Sequence, residues 1–390
     1  MDLSVREASR CQKISPFHVM ALLERAQALA AAGHDVIHLE VGEPDFPTPP
    51  AMVEAGQRAL AAGQTRYSPA AGIPELRQAL ADDYARRFSV TVAPQQIILT
   101  PGASGALQLA LALLVNPGDG VLVADPGYPC NRHFLALVNG EPQAMVLGDD
   151  LRVSAGLIDR HWRDNTVAAL LASPDNPTGT VLGEAELAEI AATVQRRDGA
   201  LVMDEIYQGL VYGEPVHSVL SVAPQALVVN SFSKFYGMTG WRLGWLVAPP
   251  EAVPALERMA QNFFLAPPTL AQHAALAAFE PDTLELLEQR RQELGRRRAL
   301  LLERLPALGV RVCGQPRGAF YLYLDVSAIT DDSFAFCQRL LEQTHVALTP
   351  GLDFGEQHQP ERYVRLAYAA PLDRLEQALD RIGRFLGAAG

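Results

Sequence analysis

Between residues 50 and 250 the chain alternates short, almost wholly apolar runs with stretches of helical periodicity, and this alternation restricts the fold most. The runs are IILT (97–100), VLVA (121–124), AALLA (168–172), ALVMDE (200–205), ALVVNSF (226–232) and LGWLVA (243–248). Rich in Val, Leu and Ala and lacking polar alternation, they predict strands covered on both faces. Segments such as SGALQLALALLV and 184–197 fall between them and predict helices. The expectation is an α/β fold around a mostly parallel sheet with right-handed crossovers and helices on both faces.

After about residue 280 the texture changes. A long charged helix over 284–305 precedes strand-like VRVC and AFYLYLD, a helix near 333–341, a strand YVRLAYA and a terminal helix PLDRLEQALDRIGRFL. This predicts a smaller α+β domain, with the first 45 residues, including a helix near 19–32, packed beside it. The expected division is a large domain over 46–280 and a small one made of 1–45 and 281–390.

Composition narrows the function. Of 390 residues 49% are hydrophobic and 19% charged, enough for a large buried core. The net charge of −12 has the wrong sign for binding a phosphate backbone, so no nucleic-acid partner is expected. Cys11, Cys130, Cys313 and Cys337 show no CxxC spacing, which argues against a disulfide framework and a zinc site, and no metal is expected. The longest apolar stretch, Ala106 to Val115, is interrupted by Gln108 and is too short to span a bilayer. With no apolar signal region at the N-terminus, a soluble, cytoplasmic protein without a membrane partner is expected.

In open α/β sheets ligands bind beyond the carboxyl ends of the strands. After IILT comes PGASGALQL, a Gly-rich turn opening a helix. Its free N–H groups suit a phosphate, and its small residues suit close packing equally well. It is neither GxGxxG nor GxxxxGK[ST], so it carries no dinucleotide or nucleoside-triphosphate fingerprint. After AALLA comes SPDNPTGT, where Asn176 precedes a proline; an amide aimed into a cleft and a plain Asn-Pro turn both fit. Asp204 closes a buried strand and needs a cationic partner, in a site or in a structural ion pair. SFSKFYGMTGWRLGW then brings Ser231, Ser233, Lys234 and Arg242 to strand ends.

The lysine count sharpens this. Of 32 basic residues only Lys13 and Lys234 are lysines. Where arginine meets the ordinary need for positive charge, a retained lysine points to what a guanidinium cannot do, nucleophilic attack by an amine. An amine, a carboxylate and an anion pocket together are the set that pyridoxal phosphate uses.

Nine segments in order carry a resemblance. They are KISPF near 13, VGEPDFPTP at 41, YSPAAGIPELR at 67, TPGASGAL at 100, DPGYP at 125, SPDNPTG at 173, DEIY at 204, SFSKFYGMTGWRLGW at 231 and VRLAYA at 364. Across essentially its whole length the chain resembles the fold-type I, class I/II aminotransferases of the aspartate aminotransferase-like superfamily. The resemblance implies a seven-stranded large domain, pyridoxal 5'-phosphate as cofactor and a homodimer with shared active sites.

It also implies roles. Lys234 would hold the cofactor as an internal aldimine and shuttle the proton, Asp204 would pair with the ring nitrogen, and Tyr207 and Asn176 would bond the ring oxygen. Tyr128 would stack on the ring. Ala103 and Ser104 backbone, Ser231 with Ser233 nearby, and Arg242 would hold the phosphate, and Tyr67 would reach the phosphate of a neighbouring subunit. Arg365 and the Gly42 N–H would bind the substrate α-carboxylate, Arg365 as a planar fork. The implied reaction is ping-pong transfer of an amino group from an L-amino acid to a 2-oxo acid.

Some aspartate-preferring relatives carry a lysine in the Gly-rich turn, where this chain has Ala103-Ser104-Gly105. An arginine from elsewhere is a possible substitute. By similarity Ile14, Phe17, Tyr128 and Phe263 line the pocket, an apolar set that favours neutral or aromatic donors. The alternative chemistry on the same residues is C–S β-elimination. A pyridoxal phosphate-binding regulatory module is more remote, since no length remains for a basic DNA-binding region.

Overall fold

The computed structural model describes residues 7–213 and 215–388. After a helix at His18–Ala31 comes a two-residue strand, β1 (Ile37–His38). Seven strands then build the main sheet: β2 (Ile97–Thr100), β3 (Gly120–Asp125), β4 (Glu141–Val146), β5 (Thr166–Ala172), β6 (Ala200–Asp204), β7 (Leu227–Ser231) and β8 (Gly244–Val247). Their order is β2-β8-β7-β6-β5-β3-β4. Only β8 runs against its neighbours, pairing antiparallel with both β2 and β7.

The missing polar alternation has a direct cause. Successive residues of these strands enter two different cores: Leu122, Ala169, Leu171 and Met203 pack on one face, and Val121, Val123, Leu170 and Val202 on the other. Strand geometry turns neighbours to opposite faces, and both faces are covered by helices. The edge strand β4 escaped the sequence reading. Its first two residues are exposed and it contains Pro142, a residue tolerated at a sheet edge but not inside.

The C-terminal part forms a four-stranded antiparallel sheet in the order β12-β13-β10-β9, from β9 (Arg311–Val312), β10 (Tyr321–Asp325), β12 (Thr349–Pro350) and β13 (Tyr363–Ala367). β11 (Val346–Ala347) pairs parallel with β1. A 27-residue helix at Pro281–Ala307 leads into this region. Leu22, Ala26, Leu29, Ile37 and Leu39 share one core with Leu294, Phe320, Leu340, Leu366 and Leu379. The N-terminal segment thus packs on the C-terminal elements. Among the described residues no helix is long and apolar enough to cross a membrane.

Candidate active site

A cavity of about 330 Å³ lies at the carboxyl edge of the main sheet, between it and the C-terminal sheet. Its floor is the strand ends. Asp204 ends β6 and is buried, and its Oδ1 accepts the Ile206 N–H at 3.0 Å. Burial, with Asp175 nearby, pushes the Asp204 carboxyl up to about 7. It holds its charge fully only with a cation opposite it.

Lys234 is partly buried three residues past β7, and its Nζ donates to the Gly42 carbonyl at 2.5 Å. Loss of water and the nearby Arg365 guanidinium bring its ammonium down to about 8. A surface lysine is almost wholly protonated at neutral pH, whereas this one keeps a usable neutral fraction.

On one side the helix Gly102–Leu114 points its N-terminus into the cavity, where the first N–H groups have no intrahelical partner. Arg242 comes to the same place because β8 runs backwards: Gly244 pairs with both Ser231 and Thr100, so the start of β8 lies at the ends of β7 and β2. The approach is close. A Cβ on Gly244 would fall 2.6 Å from the Gly102 carbonyl carbon and 2.7 Å from the Ala103 nitrogen, and one on Gly102 would fall 2.6 Å from Arg242 Nη2. Helix N–H groups, the Ser233 hydroxyl and a guanidinium surround a space suited to a phosphate dianion. Ser231 lies beneath this space: its Oγ is 2.9 Å from Ser233 Oγ and 3.0 Å from the Leu243 carbonyl, and it does not line the cavity.

The opposite side comes from the C-terminal sheet. Arg365 on β13 is buried; its Nη1 donates to Asn176 Oδ1 at 2.9 Å and its Nη2 to the Glu40 carbonyl at 2.7 Å. Its Nε is buried and has no partner among the described residues. Tyr207 and Tyr321 stand hydroxyl to hydroxyl at 2.8 Å, and burial raises both phenols above their ordinary range. Tyr128 also lines the cavity.

Sequence reasoning named Lys234, Asp204, Tyr207, Asn176, Arg242, Arg365, Ala103, Ser104, Ser233, Tyr128 and Gly42, and all of them line one cavity. Tyr67 does not; it is 82% exposed. Of the expected pocket residues Phe17 and Tyr128 line the cavity, while Ile14 and Phe263 are exposed outside it. Their places are taken by Val19, Met20, Leu23, Leu107 and Phe354. The first three ride on the helix His18–Ala31, whose N-cap position, Phe17, offers no side-chain acceptor. Asp353 supplies it, accepting the N–H groups of His18 at 2.7 Å and Val19 at 2.9 Å. Tyr321, Thr349 and Asp353 were not foreseen; the one available signal was the alternation of AFYLYLD, which puts Tyr321 and Tyr323 on one face.

A lysine amine, a buried carboxylate and an anion cradle at this edge of a seven-stranded sheet define an enzyme that transfers amino groups. The chain belongs to the family described as aminotransferase class I and II, which matches residues 34–382. It is 40% identical over 380 residues to a valine–pyruvate aminotransferase of Mycobacterium tuberculosis, covering 96% of this chain and 97% of that one. It is 38% identical over 390 residues to an aspartate/prephenate aminotransferase of Thermus thermophilus, covering 97% and 98%. The crystal structure of an aminotransferase from Mycobacterium tuberculosis superposes with a TM-score of 0.95 at 39% identity, covering 99% of this chain and all of that one. The relatives' names agree on amino-group transfer and differ in substrate.

Proposed function

We propose that this aminotransferase works with pyridoxal 5'-phosphate and moves the amino group of a neutral or aromatic L-amino acid to a 2-oxo acid by a ping-pong mechanism. The cavity carries this reading. The only basic side chains among its described lining residues are Lys234, Arg242 and Arg365. Each has a task at the reacting end, so none is spare for a distal carboxylate. The rest of the wall, Phe17, Val19, Met20, Leu23, Leu107 and Phe354, suits an apolar side chain. The name of one relative, valine–pyruvate aminotransferase, points the same way.

The donor set fits the cofactor. Helix N–H groups at Ala103 and Ser104, Ser233 and Arg242 would hold its phosphate, with Ser231 buttressing Ser233. Asp204 would face the ring nitrogen and keep a proton there, since an opposite charge favours the charged form. Tyr128 would lie against the ring, and Tyr207 and Asn176 would offer hydrogen bonds at its oxygen. When bound, pyridoxal phosphate supplies an electron-accepting ring and a carbon that carries nitrogen between the two half-reactions.

Lys234 would take the α-proton and return it, a role supported by an amine that is partly neutral near pH 7. Arg365 would receive the α-carboxylate on its guanidinium, assisted by the Gly42 N–H, and so orient the α-carbon. Residues 46–280 and the remaining segments, 1–45 with 281–390, act in this reading as two domains that meet at the cavity. Tyr67, exposed and away from it, would complete the site of a second copy in a homodimer. With four free cysteines the protein suits a reducing, cytoplasmic setting.

The test is the visible spectrum with pyridoxal phosphate, titrated with single amino acids and no oxo acid. Conversion to a stable pyridoxamine form, most readily with neutral or aromatic donors, supports the proposal. Ammonia release with the starting spectrum restored makes the reaction a β-elimination. Preference for aspartate or glutamate overturns the substrate assignment. With only Lys13 and Lys234 in the chain, borohydride trapping and peptide mapping identify the reacting amine directly.

A further inference from the structure

We propose that Tyr321 is a positioning residue that sets the hydroxyl proton of Tyr207 and the plane of Arg365; this rests on the function proposed above. Tyr321 is fully buried on β10 and lines the cavity. Three contacts fix it. Its hydroxyl lies 2.8 Å from that of Tyr207. Its ring centroid lies 4.3 Å from the Arg365 guanidinium carbon. The hydroxyl also abuts Gly42, where a Cβ would fall 2.7 Å from it. The strand register pairs Tyr321 with Ala367, so the ring meets Arg365 diagonally, within reach of a long side chain.

The direction of the Tyr207–Tyr321 hydrogen bond follows from the neighbours. Arg365 offers only donors, so it cannot accept the Tyr321 proton. The same cation, lying against the Tyr321 ring, makes this phenol the stronger acid of the two and hence the better donor. Tyr321 therefore donates to Tyr207, and the Tyr207 proton is left to be offered into the cavity. Donation to Tyr207 also strengthens Tyr207 as a donor, since chained hydrogen bonds polarise one another. The ring of Tyr321 at the same time presses the guanidinium into one plane, with Phe354 at 4.8 Å. One side chain thereby couples the group facing the cofactor to the group facing the substrate carboxylate.

The experiment separates hydroxyl from ring. Wild type, Tyr321→Phe, Tyr321→Leu, Tyr207→Phe and the Tyr207→Phe/Tyr321→Phe double variant are loaded with pyridoxal phosphate, and their visible absorbance is titrated with pH. A hydrogen bond donated to a titrating group favours its deprotonated form, so weakening the donor raises the midpoint. Tyr321→Phe is expected to raise it by about half a pH unit, ~3-fold in the proton equilibrium, with unchanged circular dichroism and a donor KM within about twofold of wild type. In the Tyr207→Phe background the same change moves nothing further. Tyr321→Leu raises the donor KM by about tenfold as well. An unmoved midpoint in Tyr321→Phe, or an equal shift with and without the Tyr207 hydroxyl, overturns the proposal alone. No visible band in the wild-type protein overturns the functional reading and this proposal with it.

Discussion

Asn176 and Arg365, 189 positions apart, meet at 2.9 Å, the amide oxygen accepting from Nη1. One residue follows a strand of the main sheet and the other lies in the C-terminal sheet, so the contact bridges the two sides of the cavity. It fixes one nitrogen of the guanidinium, while the Glu40 carbonyl holds the other terminal nitrogen. Arg365→Lys keeps the charge and loses the planar fork. We expect it to lower kcat/KM for a neutral donor by ~100-fold, and Asn176→Ala by ~10-fold, as charge-assisted hydrogen bonds of this kind contribute about 1.5–3 kcal/mol. Steady-state kinetics with one donor and one oxo acid checks both.

The pH dependence of cofactor capture follows from Lys234. As the proposed point of cofactor attachment its amine must be neutral to attack, and burial brings it down to about 8. Capture of pyridoxal phosphate by the cofactor-free protein should speed up by about tenfold per pH unit below 8 and level off above it. Stopped-flow absorbance measures this, and Lys234→Ala should show no capture phase.

A second titration concerns stability. Glu205 is buried beside Asp204, accepts the Val219 N–H at 2.7 Å and the Ser218 hydroxyl at 3.1 Å, and burial pushes its carboxyl up to about 8. A carboxyl raised in the folded state stabilises the fold fully below its ordinary value near 4.5, and that contribution disappears as pH rises through 8. Glutamine has no such proton to lose. The stability of Glu205→Gln relative to wild type should therefore increase between pH 5 and 8, on the order of 3 kcal/mol. Denaturant unfolding of the two cofactor-free proteins at both pH values tests the sign.

The proposed cradle for the phosphate gives a steric test with an internal control. Gly244→Ala would drive a methyl group into the start of the helix Gly102–Leu114. It should weaken pyridoxal phosphate binding by at least ~10-fold and cost about 1–3 kcal/mol of stability. Gly240→Ala, with nothing among the described residues within 4 Å of its new Cβ, should bind as wild type does. Equilibrium dialysis of the cofactor compares them.

Asn176, Asp204, Ser233, Lys234 and Arg242 were legible because they sit at strand ends, and strands buried on both faces announce themselves; Gly42, Tyr128 and Arg365 were named only through the family resemblance. Lys234 stood out further because arginine fills nearly every other basic position. The rest depended on tertiary placement. Nothing local says that Asp353 caps a helix 335 positions earlier, nor that Val19 and Leu23 turn a helix face to the cavity rather than Ile14, which precedes the helix. Tyr321 looked like one more apolar residue of a buried strand, because alternation shows which face a side chain shares and not what waits there. The edge strand β4 was invisible for the opposite reason, its half-exposed residues lacking the apolar signal.

The reversed strand β8 has a consequence for how the site can fail. Because β7 leaves the sheet and β8 returns to it at the same edge, the amine of Lys234 and the guanidinium of Arg242 ride on a single excursion of the chain, residues 232–243. A nick, an inserted residue or a loosened turn anywhere between them disturbs the proposed covalent anchor and the proposed phosphate grip in one event. Damage there should abolish holoenzyme outright, with no form that keeps one hold and loses the other.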